Sequence, residues 1–207
     1  MGPCLFGIVL GAYVMTDVHY YVRTLLTYFY AKFFRNRISI TDPSEVYGFV
    51  LPTDADFMLT HMNNARFLRE CDFARFDHGT RCGMIEMMFK KRGAVAAHTI
   101  RYRLPLMMFS YYKIVTQPVW WDEKFVYVEQ KIITIADDIV RSVGYSKIAT
   151  NFNVEQFVLE KFPDISRPEM PEDMQKWLEC NELSSKKMKN YLSNGEGTNG
   201  VKNGKQS

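Results

Sequence analysis

The stretch from Asp54 to Asp72 constrains this chain more than any other, because an acidic loop leads through a histidine and two asparagines into an amphipathic helix. Asn63 or Asn64 is suited to cap that helix, since a short side-chain carbonyl accepts hydrogen bonds from first-turn N–H groups. The unpaired N–H groups and the helix dipole attract an oxyanion or a polarised carbonyl. A carboxylate from Asp54 or Asp56 beside them would supply a base or nucleophile, which ester or thioester hydrolysis requires.

The predicted helix runs from Asn63 to about His78. Its apolar residues leave only a narrow polar face, and they are Ala65, Phe67, Leu68, Cys71, Phe73, Ala74 and Phe76. Such a wide apolar surface is suited to a helix wrapped by a sheet. Arg66 and Glu70 have the i,i+4 spacing of a surface ion pair. A simpler interpretation of the acidic loop and the asparagines is that they only cap this helix.

Strand-like runs lie on both sides of the helix. The run from Val46 to Leu51 is β-branched and aromatic and stops at Pro52, which predicts a first strand. After a predicted linker at residues 79–93, four more strand-like runs occupy residues 94–104, 108–119, 124–135 and 139–151. One strand, one long helix and a meander of four strands predict an α+β fold, with a curved antiparallel sheet around a central helix.

Length and composition indicate one main domain with extensions. The chain has 207 residues, of which 47% are hydrophobic, enough to bury one sizeable core. The formal net charge of +3 is small and the basic residues form no stripe, so no nucleic-acid partner is expected. The predicted parts are an N-terminal apolar segment (1–37), the α+β domain (38–167), a C-terminal helical extension (168–192) and a disordered, polar tail (193–207).

The cysteines indicate reduced thiols of a protein that faces the cytosol. Cys4, Cys71, Cys82 and Cys180 are scattered, without the spacing of metal ligands or of a disulfide framework. Cys71 falls on the apolar side of the predicted helix, which favours a core position over a nucleophile. The histidines do not cluster in sequence either, so we predict no metal site and no bound cofactor.

The N-terminal segment predicts an attachment to a membrane. Residues 4–16 carry no charge, and apolar and aromatic residues continue to Tyr30. Because a transmembrane helix needs about 20 apolar residues, this is a marginal span with a long amphipathic continuation. We expect residues 4–34 to be mainly helical and to stand away from the folded body.

The charges around this segment predict its orientation. Arg23, Lys32, Arg35 and Arg37 all follow the apolar run, which by the positive-inside tendency places the rest of the chain in the cytoplasm. We therefore expect an uncleaved anchor, with the domain on the cytosolic side of the endoplasmic reticulum membrane. The alternatives are a signal peptide that is cleaved before secretion, although no Lys or Arg precedes the apolar run, and a buried soluble helix.

The run from His61 through Asn63 and Asn64 to Asp72 resembles the motif of the hotdog-fold acyl-CoA thioesterases of the 4-hydroxybenzoyl-CoA thioesterase type. That motif is approximately D-x-D-x-x-G-H-x-N-N-x-x-Y-L, followed by an acidic residue on the helix. The resemblance extends from about Val46 to Tyr191 and is nearest to the thioesterase superfamily member six group. It implies a hotdog fold, dimers formed through the sheet, and acyl-CoA bound at the dimer interface, with coenzyme A entering as part of the substrate.

Carried onto this chain, the motif implies catalytic roles for Asp56, His61, Asn63 and Asn64. Asp56 corresponds to the motif acid and would act as general base on water or as nucleophile. Asn63 would position the carbonyl or the water, and His61 would shape the loop or serve as base. The motif Tyr corresponds to Phe67.

Two departures from the motif concern the acid. Asp56 and His61 are five positions apart instead of four, and Thr60 stands where the family has Gly before the histidine. Asp54, in the same loop, and Asp72 are reserve candidates for the acid; Asp72 is one because other hotdog branches place the acid on the helix. The simpler role for Asp72 is an ion pair with Arg69 or Arg75 on a solvated face.

The resemblance thus implies hydrolysis of a fatty acyl-CoA to free acid and coenzyme A at a membrane surface. The alternative is a catalytically inactive hotdog scaffold that binds acyl-CoA or lipid.

Overall fold

The computed structural model describes Gly7, Gly11, Tyr13 and residues 16–193. These residues form two compact units, divided between Arg167 and Pro168. Most of the apolar run before Thr16, on which the predicted anchor depends, and the predicted tail after Ser193 lie outside the described residues.

The first unit is built on a five-stranded sheet. The strands are β1 (Ser44–Phe49), β2 (Ala94–Tyr102), β3 (Tyr111–Trp121), β4 (Phe125–Thr134) and β5 (Val140–Ala149). Every neighbouring pair is antiparallel, and the order across the sheet is β1-β3-β4-β5-β2. Together with the helix that it encloses, this sheet confirms the predicted α+β architecture.

The predicted meander of four strands is wrong in one respect, because β2 pairs with β5 and not with β3. The segment after β2 runs past the loop that precedes the central helix, where Leu106 accepts a hydrogen bond from the Met62 N–H and Met108 donates one to the Thr60 carbonyl. This crossing carries the chain to the other side of the sheet, where β3 pairs with β1. β2 is therefore an edge strand.

The helices are α1 (Val18–Phe34), α2 (Asn64–Cys82), α3 (Met84–Lys91), α4 (Val154–Lys161) and, in the second unit, α5 (Glu172–Ser193). The predicted start of the central helix α2 agrees with the structure to within one residue, and α5 lies in the predicted helical extension and ends one residue beyond it. The predicted linker at residues 79–93 is wrong, because α2 continues to Cys82 and α3 follows at once. Gly83 permits this reversal, since its φ of 77° is left-handed backbone that glycine adopts without strain.

The central helix α2 fills the concave side of the sheet. Phe67, Cys71 and Ala74 are buried in one cluster with Ile114 of β3 and Ile132 of β4. Cys71 is therefore a core residue, as its position in the pattern predicts, and burial raises the pKa of its thiol to about 12. This packing orients α2 so that its N-terminal end meets the acidic loop.

The prediction that the N-terminal helix stands away from the folded body is wrong for α1. The Arg23 guanidinium of α1 binds the Glu70 carboxylate of α2, with a contact of 2.5 Å. The rings of Tyr20 and Phe73 pack with centroids 5.4 Å apart. Tyr20 and Arg23 are three positions apart and so lie on the same face of α1. The helix buries this face against the nearest apolar surface, which is α2. Within the described part of the chain, every helix is too short or too polar to cross a membrane.

Candidate active site

The acidic loop folds back onto the residues that precede α2. The Asp56 N–H donates to the His61 carbonyl at 2.9 Å, and the Asn63 N–H donates to the Asp54 carbonyl at 2.9 Å. This short antiparallel pairing places Asp56 beside His61, and Asp54 beside Asn63. The structure thus brings the four predicted site residues, Asp56, His61, Asn63 and Asn64, together with the reserve candidate Asp54, to the N-terminal end of α2.

Asn63 is the residue that caps α2. Its backbone is extended, and its side-chain oxygen accepts a hydrogen bond from the Ala65 N–H at 2.9 Å. The Arg66 N–H is occupied as well, by the Asn63 carbonyl. The N–H of Asn64 has no hydrogen-bond acceptor in the described part of the chain, so it remains available for an oxyanion at the positive end of the helix dipole.

Asp56 is held by its own loop. One carboxylate oxygen accepts hydrogen bonds from the Thr60 N–H at 3.1 Å, the Thr60 hydroxyl at 3.3 Å and the His61 N–H at 3.4 Å. Burial by itself would raise the pKa of Asp56, but the N–H groups of Thr60 and His61 hold this pKa below its ordinary value. Asp56 is therefore an anion at neutral pH.

His61 lies between this carboxylate and the solvent. Its Nδ1 is 2.7 Å from the Thr60 hydroxyl oxygen and 3.9 Å from the second carboxylate oxygen of Asp56. The ring is 38% exposed, whereas the Asp56 side chain is 14% exposed. The imidazole is thus the more accessible of the two groups.

Asp54 is committed to an ion pair and is not suited to the role of reserve acid. Its side chain is buried, and it accepts a hydrogen bond of 2.9 Å from Nε of Arg66 and a shorter one from the same guanidinium. The predicted pairing of Arg66 with Glu70 is therefore wrong, because Arg66 turns towards the loop. This ion pair fixes the loop against the first turn of α2.

A pocket of about 200 Å³ opens in front of these groups. It is lined by His61, Met62, Asn64, Phe67, Tyr102, Arg103, Leu104 and Pro105. The Tyr102 hydroxyl donates a hydrogen bond of 2.9 Å to the Asn64 carbonyl. The Tyr102 and Phe67 rings are nearly perpendicular, with their centroids 5.2 Å apart. Asp56 is not part of the lining, so His61 separates it from the pocket.

Tyr102 and Arg103 were not predicted to belong to this site. They lie at the end of the edge strand β2, almost 40 residues after the motif. The Arg103 side chain is exposed and makes no hydrogen bond or ion pair with any other described residue. Nothing local in the sequence marks these residues, since only the register of β2 against β5 brings them to α2.

Asp72, the second reserve acid, lies elsewhere. It follows Asn64 by eight residues, which is roughly 12 Å along the helix axis. The predicted ion pair with Arg75 is present: the Asp72 side chain is 36% exposed, whereas the Arg75 guanidinium is buried and also binds Gln130 and Ser146 of the sheet. Arg69 pairs with Asp17 of the N-terminal region instead. Asp72 borders a separate, mostly apolar cavity of about 160 Å³.

The tip of the acidic loop is apolar and exposed. Phe57 is 93% exposed, and Met58 and Leu59 next to it are more than half exposed. Leu59 has a φ of 55°, an uncommon conformation for a branched residue, which turns the chain sharply between Asp56 and Thr60. Asp56, the candidate acid, and Thr60, which contacts His61, thus stand at the two ends of this exposed apolar tip.

Comparison with known proteins agrees with this architecture. The family model of the thioesterase-like superfamily matches residues 50–178. Protein THEM6 of Drosophila melanogaster is 41% identical over 186 residues, which cover 88% of this chain and 96% of the relative. Protein THEM6 of Xenopus laevis is 34% identical over 187 residues, or 88% of this chain and 90% of the relative.

Among solved structures, the fold is similar to that of YbaW, a probable thioesterase from Escherichia coli. The TM-score is 0.50 and the sequence identity is 21%, and the match covers 56% of this chain and 94% of the other. At this level of identity the likeness concerns the fold alone.

Proposed function

The chain belongs to the thioesterase-like superfamily, and from that premise we propose that it hydrolyses a fatty acyl-CoA thioester at the N-terminal end of α2. One observation carries the proposal. An imidazole and a free helix N–H, supplied by His61 and Asn64, line one pocket, and the ionised carboxylate of Asp56 lies directly behind the imidazole. These are the groups that activation of water and stabilisation of an oxyanion require.

The roles follow from the positions of these groups. The thioester carbonyl would point to the Asn64 N–H, where the helix dipole favours the negative oxygen of the tetrahedral intermediate. Asn63 would keep the first turn in place through its cap, and Tyr102 would hold the Asn64 carbonyl. Asp56 and His61 would activate the attacking water.

The substrate class is supported by the surroundings of the pocket. Arg103 at the rim is an unpaired cation that suits the phosphates of coenzyme A. The exposed apolar tip at Phe57 offers surface to a fatty acyl chain. We propose no bound cofactor, since coenzyme A arrives with the substrate.

We further propose a homodimer formed through the edge strand β2. Its unpaired backbone N–H and C=O groups are a template for pairing with a second copy. Val95 and Tyr102 are exposed on this strand. Such a pairing would place Tyr102, which lines the pocket, at the subunit interface.

We propose that α1 lies on the membrane surface, with the domain on the cytosolic side of the endoplasmic reticulum. Its side that faces away from α2 is apolar and exposed, and consists of Tyr21, Val22, Leu25, Leu26, Phe29, Tyr30, Phe33 and Phe34. A helix with one broad apolar face and basic residues at its edge binds in the plane of a membrane interface. Lys32, whose side chain is 34% exposed, supplies such a charge.

A second candidate function is an inactive scaffold that binds acyl-CoA or lipid. Thr60, in the position before His61, favours it, because a side chain there can crowd the approach of a thioester. The unoccupied N–H of Asn64 favours the enzyme.

The test is release of coenzyme A by the purified full-length chain, measured by chromatography with acyl-CoA substrates from acetyl to stearoyl. We expect turnover of at least one substrate, and a loss of about 10²–10⁴-fold in Asp56→Asn, because that change removes the negative charge that supports the activation of water. Asp164→Asn, an exposed aspartate outside the site, is the matched control and should retain wild-type activity. Binding of acyl-CoA without turnover by the wild type would establish the scaffold instead.

A further inference from the structure

Asp56, Thr60 and His61 form a hydrogen-bonded chain that ends at the pocket. The Thr60 hydroxyl is 3.3 Å from one oxygen of Asp56 and 2.7 Å from Nδ1 of His61. His61 lines the pocket, and Asp56 does not. The residue that departs from the family motif is therefore the one that connects the acid to the histidine.

The number of hydrogens limits the direction of these bonds. A threonine hydroxyl has one hydrogen to donate, and an ionised carboxylate can only accept. Both contacts can therefore form at the same time only if Thr60 donates to Asp56 and accepts from His61. Nδ1 of His61 then carries the proton, and Nε2 keeps its lone pair. Nε2 has no hydrogen-bond partner among residues 16–193.

We propose that His61, oriented by Thr60, is the general base of the hydrolysis, and that Asp56 acts through this chain and not directly on water. The assignment rests on the proposed thioesterase function. An imidazole in the Nδ1–H tautomer, held by a polar group that a carboxylate supports, is the arrangement in which histidine accepts a proton from a nucleophile.

The step balances without any additional reactant. Nε2 takes a proton from water while the water oxygen forms a bond to the thioester carbon, and the carbonyl oxygen becomes the oxyanion at the Asn64 N–H. When the carbonyl re-forms, the carbon–sulfur bond breaks, and the proton on Nε2 passes to the departing sulfur. The products are the carboxylic acid and the thiol of coenzyme A, and His61 returns to its starting state.

Charged and polar groups surround His61 on every side. Asp56 lies behind the ring, and Arg103 and Tyr102 lie across the pocket, with the Met107 backbone paired to His61.

The central comparison is Thr60→Val against Thr60→Ser. Valine has the shape of threonine without the hydroxyl, so kcat should fall about tenfold to a hundredfold, the effect of one hydrogen bond to a charged or polarised group. KM should stay unchanged, because Thr60 does not line the pocket. Serine restores the hydroxyl and should restore kcat. Thr53→Val, at an exposed threonine outside the site, should behave as wild type.

A second measurement does not depend on activity. Nitrogen-15 NMR of the full-length chain in detergent, with the His61 signals assigned from His61→Gln, reports which ring nitrogen carries the proton. We expect the Nδ1–H tautomer in the wild type and its loss in Thr60→Val. The Nε2–H tautomer, or full activity of Thr60→Val in a wild type that hydrolyses its substrate, would overturn the role of His61 and leave the thioesterase function standing. A wild type without turnover would overturn both.

Discussion

The Glu70 carboxylate of α2 accepts two hydrogen bonds from the Arg23 guanidinium of α1, each 2.5 Å long. Glu70 is 2% exposed and also accepts a bond of 2.8 Å from the Tyr112 hydroxyl of β3. The Arg23 guanidinium lies over the Phe73 ring as well, 4.0 Å from its centroid. One buried carboxylate thus joins the N-terminal helix, the central helix and the sheet.

Replacing Arg23 should destabilise the fold. In Arg23→Met the Glu70 carboxylate stays buried with only one donor, so the free energy of unfolding should fall by about 2–3 kcal/mol. Urea unfolding of the full-length chain measures this. The matched control is Lys32→Met, which removes an exposed pair with Glu86 and should cost less than about 1 kcal/mol. Equal effects of the two changes would contradict a structural role for the Arg23–Glu70 pair.

Two glycine-to-alanine substitutions should have opposite effects. A Cβ at Gly48 would lie 2.3 Å from the Tyr112 ring, which is buried and cannot move aside, so Gly48→Ala should cost about 1–3 kcal/mol. At Gly79, inside α2, the nearest atom would be 3.6 Å away. Gly79→Ala should therefore stabilise the protein by about 0.5–1 kcal/mol, the difference in helix propensity. Thermal unfolding of both variants tests the pair, and a stable Gly48→Ala would show that Tyr112 is free to move.

His78 should make stability depend on pH. Burial lowers the pKa of His78 to about 4, whereas a histidine in an unfolded chain titrates near 6.5. Between these values the unfolded chain binds a proton that the folded chain does not, so the stability that is full above about pH 6.5 is lost as the pH falls towards 4. The total loss is about 3 kcal/mol. The free energy of unfolding, measured with urea from pH 7 to 4, should depend less on pH in His78→Gln than in the wild type. His19→Gln, at an exposed histidine, is the control and should show the wild-type pH dependence.

Asp72→Asn should leave hydrolysis within about twofold of the wild type. Asp72 is remote from the pocket at the start of α2, and its carboxylate is engaged by Arg75. Measured beside Asp56→Asn with the same substrates, this variant separates the two acids. A large loss in Asp72→Asn together with an active Asp56→Asn would move the active site to the middle of α2.

The outer face of α1 should bind lipid. Changing both Phe29 and Phe33 to Glu removes two large apolar side chains, each contributing about 1.5–3 kcal/mol when buried, so affinity for phosphatidylcholine–phosphatidylserine vesicles should fall more than tenfold. Co-sedimentation of the full-length chain measures it, and Leu183→Glu, an exposed position on α5, is the control. Undiminished binding would mean that this face does not contact the membrane, and secretion after cleavage near residue 20 would refute the attachment altogether.

The local pattern of the sequence was enough to predict the five strands and the central helix of the α+β fold, but not the short helices α3 and α4. Only near neighbours in the sequence determine the apolar period of α2, the runs of β-branched residues and the break at Pro52. The helix cap at Asn63 is local as well, because its side-chain oxygen lies two residues from the N–H that it accepts from. For the same reason the motif predicted that Asp56 and His61 lie together at the N-terminal end of α2. Hydrogen bonds between residues a few positions apart hold these groups, so the sequence contains the information.

The tertiary structure alone decided which distant groups meet. Spacing along the helix paired Arg66 with Glu70, but Asp54 and Arg23 lie closer to them in the fold and displace that pair. The order of the strands made β2 an edge and brought Tyr102 and Arg103 to the pocket. Such contacts are set by the packing of the whole chain, since burial selects partners by position in space and not by separation in sequence.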